Sequence, residues 1–66
     1  MEITLNGKSM TVTDNSSIAE LLESHNLPAV RVAVERNGEI VRRSDFSCIR
    51  IKPDDRLEIV TLVGGG

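Results

Sequence analysis

Aromatic side chains are almost missing from this 66-residue chain, which has one Phe and no Trp or Tyr. Proteins that read single-stranded nucleic acid on a sheet stack bases on aromatic rings, and one Phe is too few for that. Permanent complexes also depend on aromatic anchors, so the same scarcity points to partners that bind and leave. Cysteine is equally scarce. Cys48 stands alone, which excludes the paired-cysteine framework of small secreted domains. One Cys and one His, far apart in the chain, do not supply the roughly four ligands of a structural zinc site. Cys48 with His25 makes no credible nucleophile and base, because nothing orders the pair, and Cys48 is expected to be a small buried thiol.

Long apolar runs are absent too. None approaches the ~20 residues that a membrane-crossing helix needs. The start, Met1-Glu2-Ile3-Thr4, has neither the positive segment nor the apolar stretch of a secretory signal, so the chain is expected to work in the cytoplasm, away from membranes. Eight basic against ten acidic residues leave a net charge of -2, too even for polyanion binding. Arg42, Arg43, Arg50 and Lys52 therefore read as a solvated face. No GxxxxGK phosphate loop is present. A chain of about 60 residues buries only ~60% of its unfolded surface, leaving room for one core and no deep catalytic cleft. With 39% hydrophobic and 27% charged residues the composition is that of a globular domain, not of a disordered segment.

What is present is a sequence of strand, strand, helix and further strands. Met1, Ile3 and Leu5 alternate with Glu2, Thr4 and Asn6, the period of a strand with one buried face. Asn6-Gly7 marks a tight hairpin turn, since both residues tolerate positive φ, and Met10 and Val12 continue as the second strand. Ser17 with Glu20 matches a capping box at a helix start. Ile18, Leu21 and Leu22 follow at i, i+3 and i+4, His25 extends the stripe, and Pro28 stops the helix. A lone His at a helix end is expected to be a favourable end charge or a packed ring, not a ligand.

Val30, Val32 and Val34 predict a third strand, and Asn37-Gly38 a second hairpin turn into Glu39-Ile40-Val41. Ser44-Asp45-Phe46 reads as a capped helical turn that buries the Phe. After the turn Pro53-Asp54-Asp55, residues 56–62 form the last strand, in which Leu57 and Ile59 face the helix while Val60 and Leu62 face outward. These outward residues can be ordinary surface or a docking face. The predicted fold is α+β, one helix on one face of a mixed sheet of four to five strands. Residues 1–62 are expected to form the domain and residues 63–66 a flexible tail.

The end, Leu62-Val63-Gly64-Gly65-Gly66, is the most informative feature. Terminal glycines pack nothing, and a glycine run can thread a narrow channel with no side chain to clash. From the tail alone, a frayed terminus and a functional carboxylate weigh equally.

The whole chain resembles the ThiS-type sulfur carriers, small ubiquitin-like β-grasp proteins of thiamin biosynthesis. Four segments carry the resemblance. They are Met1 to Gly7 (MEITLNG), Ser17 to Leu22 (SIAELL), Val32 to Val41 (VAVERNGEIV) and Asp55 to Gly66 (DRLEIVTLVGGG). Asp54 stands where the family pattern usually carries Gly, and Asp tolerates the left-handed conformation better than most residues. The resemblance implies chemistry in the tail and in no side chain. An E1-like adenylyltransferase, ThiF-like, would adenylate the Gly66 carboxylate, using ATP and Mg²⁺ held by that enzyme and not by this chain. A persulfide donor would then supply sulfur, and the Gly66 thiocarboxylate would deliver it to a ThiG-like thiazole synthase. Gly65, Gly64, Val63, Leu62 and Val60 would bind the partners. The chain would be a co-substrate and no enzyme.

Two alternatives share the activated tail: a MoaD-like carrier for molybdopterin, and a ubiquitin-like modifier joined through Gly66 to lysines. Carriers resembling MoaD are usually longer, with more apolar and aromatic surface. Length, helix and tail favour the thiazole pathway.

Overall fold

The structure, a computed structural model, describes residues 1–62. Residues 63–66, the predicted tail, lie outside the described residues.

The chain order is β1 (Glu2–Leu5), β2 (Lys8–Thr11), α1 (Ile18–Ser24), β3 (Val32–Arg36), β4 (Glu39–Val41) and β5 (Arg56–Thr61). The strands form one mixed sheet in the order β2-β1-β5-β3-β4. Two hairpins make its flanks. Asn6 and Gly7 take φ of 50° and 82°, and Asn37 and Gly38 take 52° and 87°, a positive pair whose twist matches that of antiparallel strands. β5 then enters between the hairpins, antiparallel to β3 and parallel to β1, with Thr4 opposite Arg56 and Leu5 opposite Leu57. The last strand of the chain is thus the central strand of the sheet.

The start of α1 leaves no donor idle. Ser17 Oγ accepts from the Glu20 N–H at 3.0 Å, and Glu20 Oε1 accepts from the Ser17 N–H at 2.7 Å, completing the capping box. Ile18 and Ala19 donate to the carbonyls of Ile49 and Phe46, so the segment after β4 covers the helix end. Ile18, Leu21 and Leu22 pack on Ile3, Val32, Val34, Leu57 and Ile59 from the sheet, and Phe46 and Ile51 close the core. Burying side chains of this size stabilises by about 1.5–3 kcal/mol each, which lets a seven-residue helix persist where an isolated one would melt.

Four expectations are corrected. Val30 is not on β3: Ala29–Arg31 is a 3₁₀ turn that follows Pro28, closed by the Arg31 N–H on the Pro28 carbonyl, and Val30 is 66% exposed. His25 does not continue the apolar stripe. It is exposed at the helix C-terminus, its Nδ1 3.1 Å from both the Leu21 carbonyl and Ser24 Oγ. Cys48 is exposed rather than buried, because the turn after Phe46 directs Phe46 and Ile49 towards the core and leaves Cys48 outside. The turn before Phe46 spans Arg43–Asp45 and has no side-chain cap, although Phe46 is buried as expected.

Candidate functional site

The site is assembled around β5, the strand that leads to the terminal glycines. Its start is held by Asp55, whose role the sequence pattern did not reveal. Asp54 takes φ of 68°, the left-handed conformation anticipated for its turn, and Asp55 is then only 6% exposed. The Asp55 carboxylate accepts from Arg36 Nε at 2.8 Å, the Lys52 N–H at 2.8 Å and Asn37 Nδ2 at 3.1 Å. Asn37 Oδ1 accepts from the Arg56 N–H at 2.9 Å. Burial works to raise the Asp55 pKa, but the Lys52 N–H, the Arg36 guanidinium and the Asn37 amide together outweigh it and hold the carboxyl below the ordinary aspartate range. The carboxylate is thus held by three donors where β5 begins, and it anchors the strand.

Beyond this anchor the strand's two faces separate by parity. Leu57 and Ile59 are buried against α1, while Val60 and Leu62 are 56% and 49% exposed on the other face, as the alternation predicts. The strand pairing adds a residue that the sequence reading missed. Ile40 on β4 is 69% exposed, and with Ala33, Val60, Glu35 and Glu58 it lines one shallow depression on the outer face of the sheet. Ala33 is the register partner of Val60, and Glu35 that of Ile40 on one side and of Glu58 on the other. The signal for Ile40 was its parity against buried Val41, legible only once β4 is paired. Glu35 directly opposite Glu58 is a like-charge pair, unfavourable in the free sheet. Neither belongs to the salt bridges found among the described residues.

Of the predicted site residues, the structure places Val60 and Leu62 next to the departure of the tail. Val63, Gly64, Gly65 and Gly66 fall outside the described residues. The Leu62 N–H donates to the Arg31 carbonyl at 2.7 Å, so pairing with the β3 side reaches the last described residue. Among the described residues, no group of three or more His, Cys, Asp or Glu converges as a metal site would need. No helix of the described residues is long and apolar enough to cross a membrane. Arg42, Arg43, Arg50 and Lys52 are exposed; Arg50 pairs with Glu20 at 3.2 Å.

β5 thus leaves a packed core in the direction of the C-terminal glycines of the sequence, with Val60, Leu62 and Ile40 exposed on the outer face of the sheet. Comparison with known proteins gives that geometry a family. The solved structure of the thiamine biosynthesis protein ThiS from Geobacter metallireducens superposes with a TM-score of 0.86 at 36% identity, over 100% of both chains. The Bacillus subtilis sulfur carrier protein ThiS is 40% identical over 63 residues, which cover 94% of this chain and 96% of that protein. A thiazole synthase of Paramagnetospirillum magneticum is 35% identical over 66 residues, and the chain spans only 20% of that protein's length. The ThiS family model matches residues 3–66. With a β-grasp fold and a family match over nearly its whole length, the chain belongs to the ThiS family.

Proposed function

We propose that the chain is a sulfur carrier of thiamin biosynthesis that bears sulfur on the Gly66 carboxylate and works in the cytoplasm. The observation that carries this reading is the strand β5 itself. It is anchored at Asp55, buried on one face, apolar and exposed on the other, and it ends in a glycine run to which the family match extends. The chain is acted upon and does not catalyse.

A carboxylate is a poor acyl donor, because its leaving group would be oxide. An E1-like, ThiF-like enzyme would remove that obstacle. One Gly66 oxygen would attack the α-phosphorus of ATP, the bond from that phosphorus to the oxygen bridging to the β-phosphate would break, and pyrophosphate would leave, with the enzyme's Mg²⁺ supplying charge neutralisation. The outer sulfur of a persulfide then takes the place of AMP on the acyl carbon. A thiol reduces the resulting S–S bond, becoming a disulfide partner itself, and the thiocarboxylate is released. ATP and Mg²⁺ would be held by the enzyme; the sequence of this chain has no GxxxxGK phosphate loop. The four residues after Leu62 can reach at most about 14 Å when fully extended, so the enzyme has to dock close to β5. Val60, Leu62 and Ile40 are the surface for that docking, with Glu35 and Glu58 inviting basic groups.

A thiazole synthase, ThiG-like, is the proposed acceptor. Support comes from the thiazole synthases that contain a segment similar to the whole of this chain, which puts such a domain and such an enzyme in one polypeptide. Reconstitution tests the assignment. The carrier, an adenylating enzyme, ATP, Mg²⁺ and a persulfide donor should yield a chain whose intact mass shows one oxygen replaced by sulfur, and this product should support thiazole formation. Support of molybdopterin dithiolene formation without thiazole would replace the thiamin assignment by the MoaD-like one. Lysine conjugates without thiocarboxylate would favour a protein modifier.

A further inference from the structure

The parallel pairing of β1 with β5 stops two residues short of what β5 could accept. β1 donates from Thr4 to the Asp55 carbonyl and from Asn6 to the Leu57 carbonyl, each at 2.9 Å, and then the Asn6-Gly7 turn carries the chain away into β2. Ile59 is next in this series and would meet no backbone. The Asn6 side chain takes the missing position: Oδ1 accepts from the Ile59 N–H at 2.8 Å and Nδ2 donates to the Ile59 carbonyl at 3.1 Å. A carboxamide is chemically a peptide group, so one side chain stands in for the next residue of β1. On the opposite edge the Leu62 N–H is held by the Arg31 carbonyl. β5 is therefore held by main chain on the β3 side as far as Leu62 and by the Asn6 side chain on the β1 side as far as Ile59.

We infer that Asn6 is a positioning residue for the terminal carboxylate. This rests on the sulfur-carrier reading above and adds to it the group that aims the strand carrying the carboxylate. Docking on Val60, Leu62 and Ile40 brings the two proteins together. The direction in which β5 ends then sets where the chain leaves the docked face on its way to the terminal carboxylate. Releasing one edge of β5 at Ile59 widens the range of those directions and lowers the fraction of encounters in which the carboxylate meets the α-phosphate. A misplacement of about 1 Å can cost up to ~100-fold in rate.

Asn6→Gly is the decisive variant, because it removes the clamp while keeping a residue that adopts positive φ freely. Asn6→Asp retains the acceptor for the Ile59 N–H but sets a carboxylate oxygen against the Ile59 carbonyl, and it is the variant to measure should the glycine variant fold poorly. ATP–pyrophosphate exchange is measured with the adenylating enzyme, at a temperature where circular dichroism shows each variant folded, together with amide hydrogen exchange at Ile59 and Leu62. The expected result is a fall in kcat of about tenfold with KM for the carrier within about twofold, accompanied by faster exchange at Ile59. An unchanged kcat in a folded variant overturns the inference. So does a loss that appears wholly in KM, which would make Asn6 a docking residue, and so does a loss without change in Ile59 exchange. Absence of exchange with the unaltered chain would refute the carrier reading instead, and the inference with it.

Discussion

Arg36 Nε donates to Asp55 Oδ2 at 2.8 Å across 19 residues of sequence, tying the end of β3 to the turn that launches β5. The arginine side chain is 25% exposed and the aspartate side chain 8%, so the worth of the pair lies in satisfying the buried carboxylate more than in attraction through solvent.

Acid should therefore weaken the fold through Asp55. A carboxyl whose folded pKa lies below its unfolded one binds fewer protons folded than unfolded, so its stabilisation is present above the ordinary value near 3.8 and disappears as pH falls through the lower folded value. Urea unfolding between pH 7 and 2 should show this loss in the unaltered chain and a flatter profile in Asp55→Asn. At neutral pH the variant should be less stable by about 2 kcal/mol. Parallel profiles would mean that Asp55 contributes nothing to the acid response.

Removing Gly65 and Gly66, or adding one residue after Gly66, should leave the melting temperature unchanged and abolish ATP–pyrophosphate exchange with the adenylating enzyme. Among the described residues the buried core reaches no further along the chain than Ile59, whereas the reaction needs a free carboxylate at a fixed distance. Exchange at the normal rate in either variant would place the chemistry elsewhere.

Val60→Asp, Leu62→Asp and Ile40→Asp should each weaken the complex with the adenylating enzyme by about 2 kcal/mol, as loss of a central interface anchor does, while the free domain keeps its stability. Leu57→Asp, on the buried parity, should instead unfold it. Glu58→Gln relieves the pair with Glu35 and should raise the stability of the free chain by about 0.3 kcal/mol while slowing association. Calorimetric titration beside thermal melts reads both quantities. Normal binding by the three apolar variants would move the docking face away from this side of the sheet.

Cys48→Ser and His25→Gln should accept sulfur at wild-type rates and change stability by no more than about 0.5 kcal/mol, because both side chains are exposed and bear no load in the core. Loss of thiocarboxylate in a folded Cys48→Ser chain would give the thiol a part in sulfur transfer.

What could be read from the sequence alone was local. Asn-Gly tolerates two consecutive positive φ angles, Ser17 and Glu20 cap a helix within one turn, and alternation along β5 separates Leu57 and Ile59 from Val60 and Leu62. Each of these properties is decided by residues within a few positions of one another, and the structure carries all of them. The family resemblance was legible for the same reason, being a succession of short motifs. What tertiary structure decided was which distant segments meet. Asn6 reads as a turn residue, and only the parallel placement of β1 beside β5 sets its amide on Ile59, 53 positions away. Ile40 joins Val60 only through the order β5-β3-β4. Asp55 looks like one more polar turn residue until Arg36, Asn37 and Lys52 close around it. Val30 and Cys48 were misplaced by alternation and residue type, since a 3₁₀ turn after Pro28 and the burial of Phe46 outweighed the preferences of single residues. Backbone conformation depends on near neighbours, but pairing and burial depend on strand order, which no local segment contains.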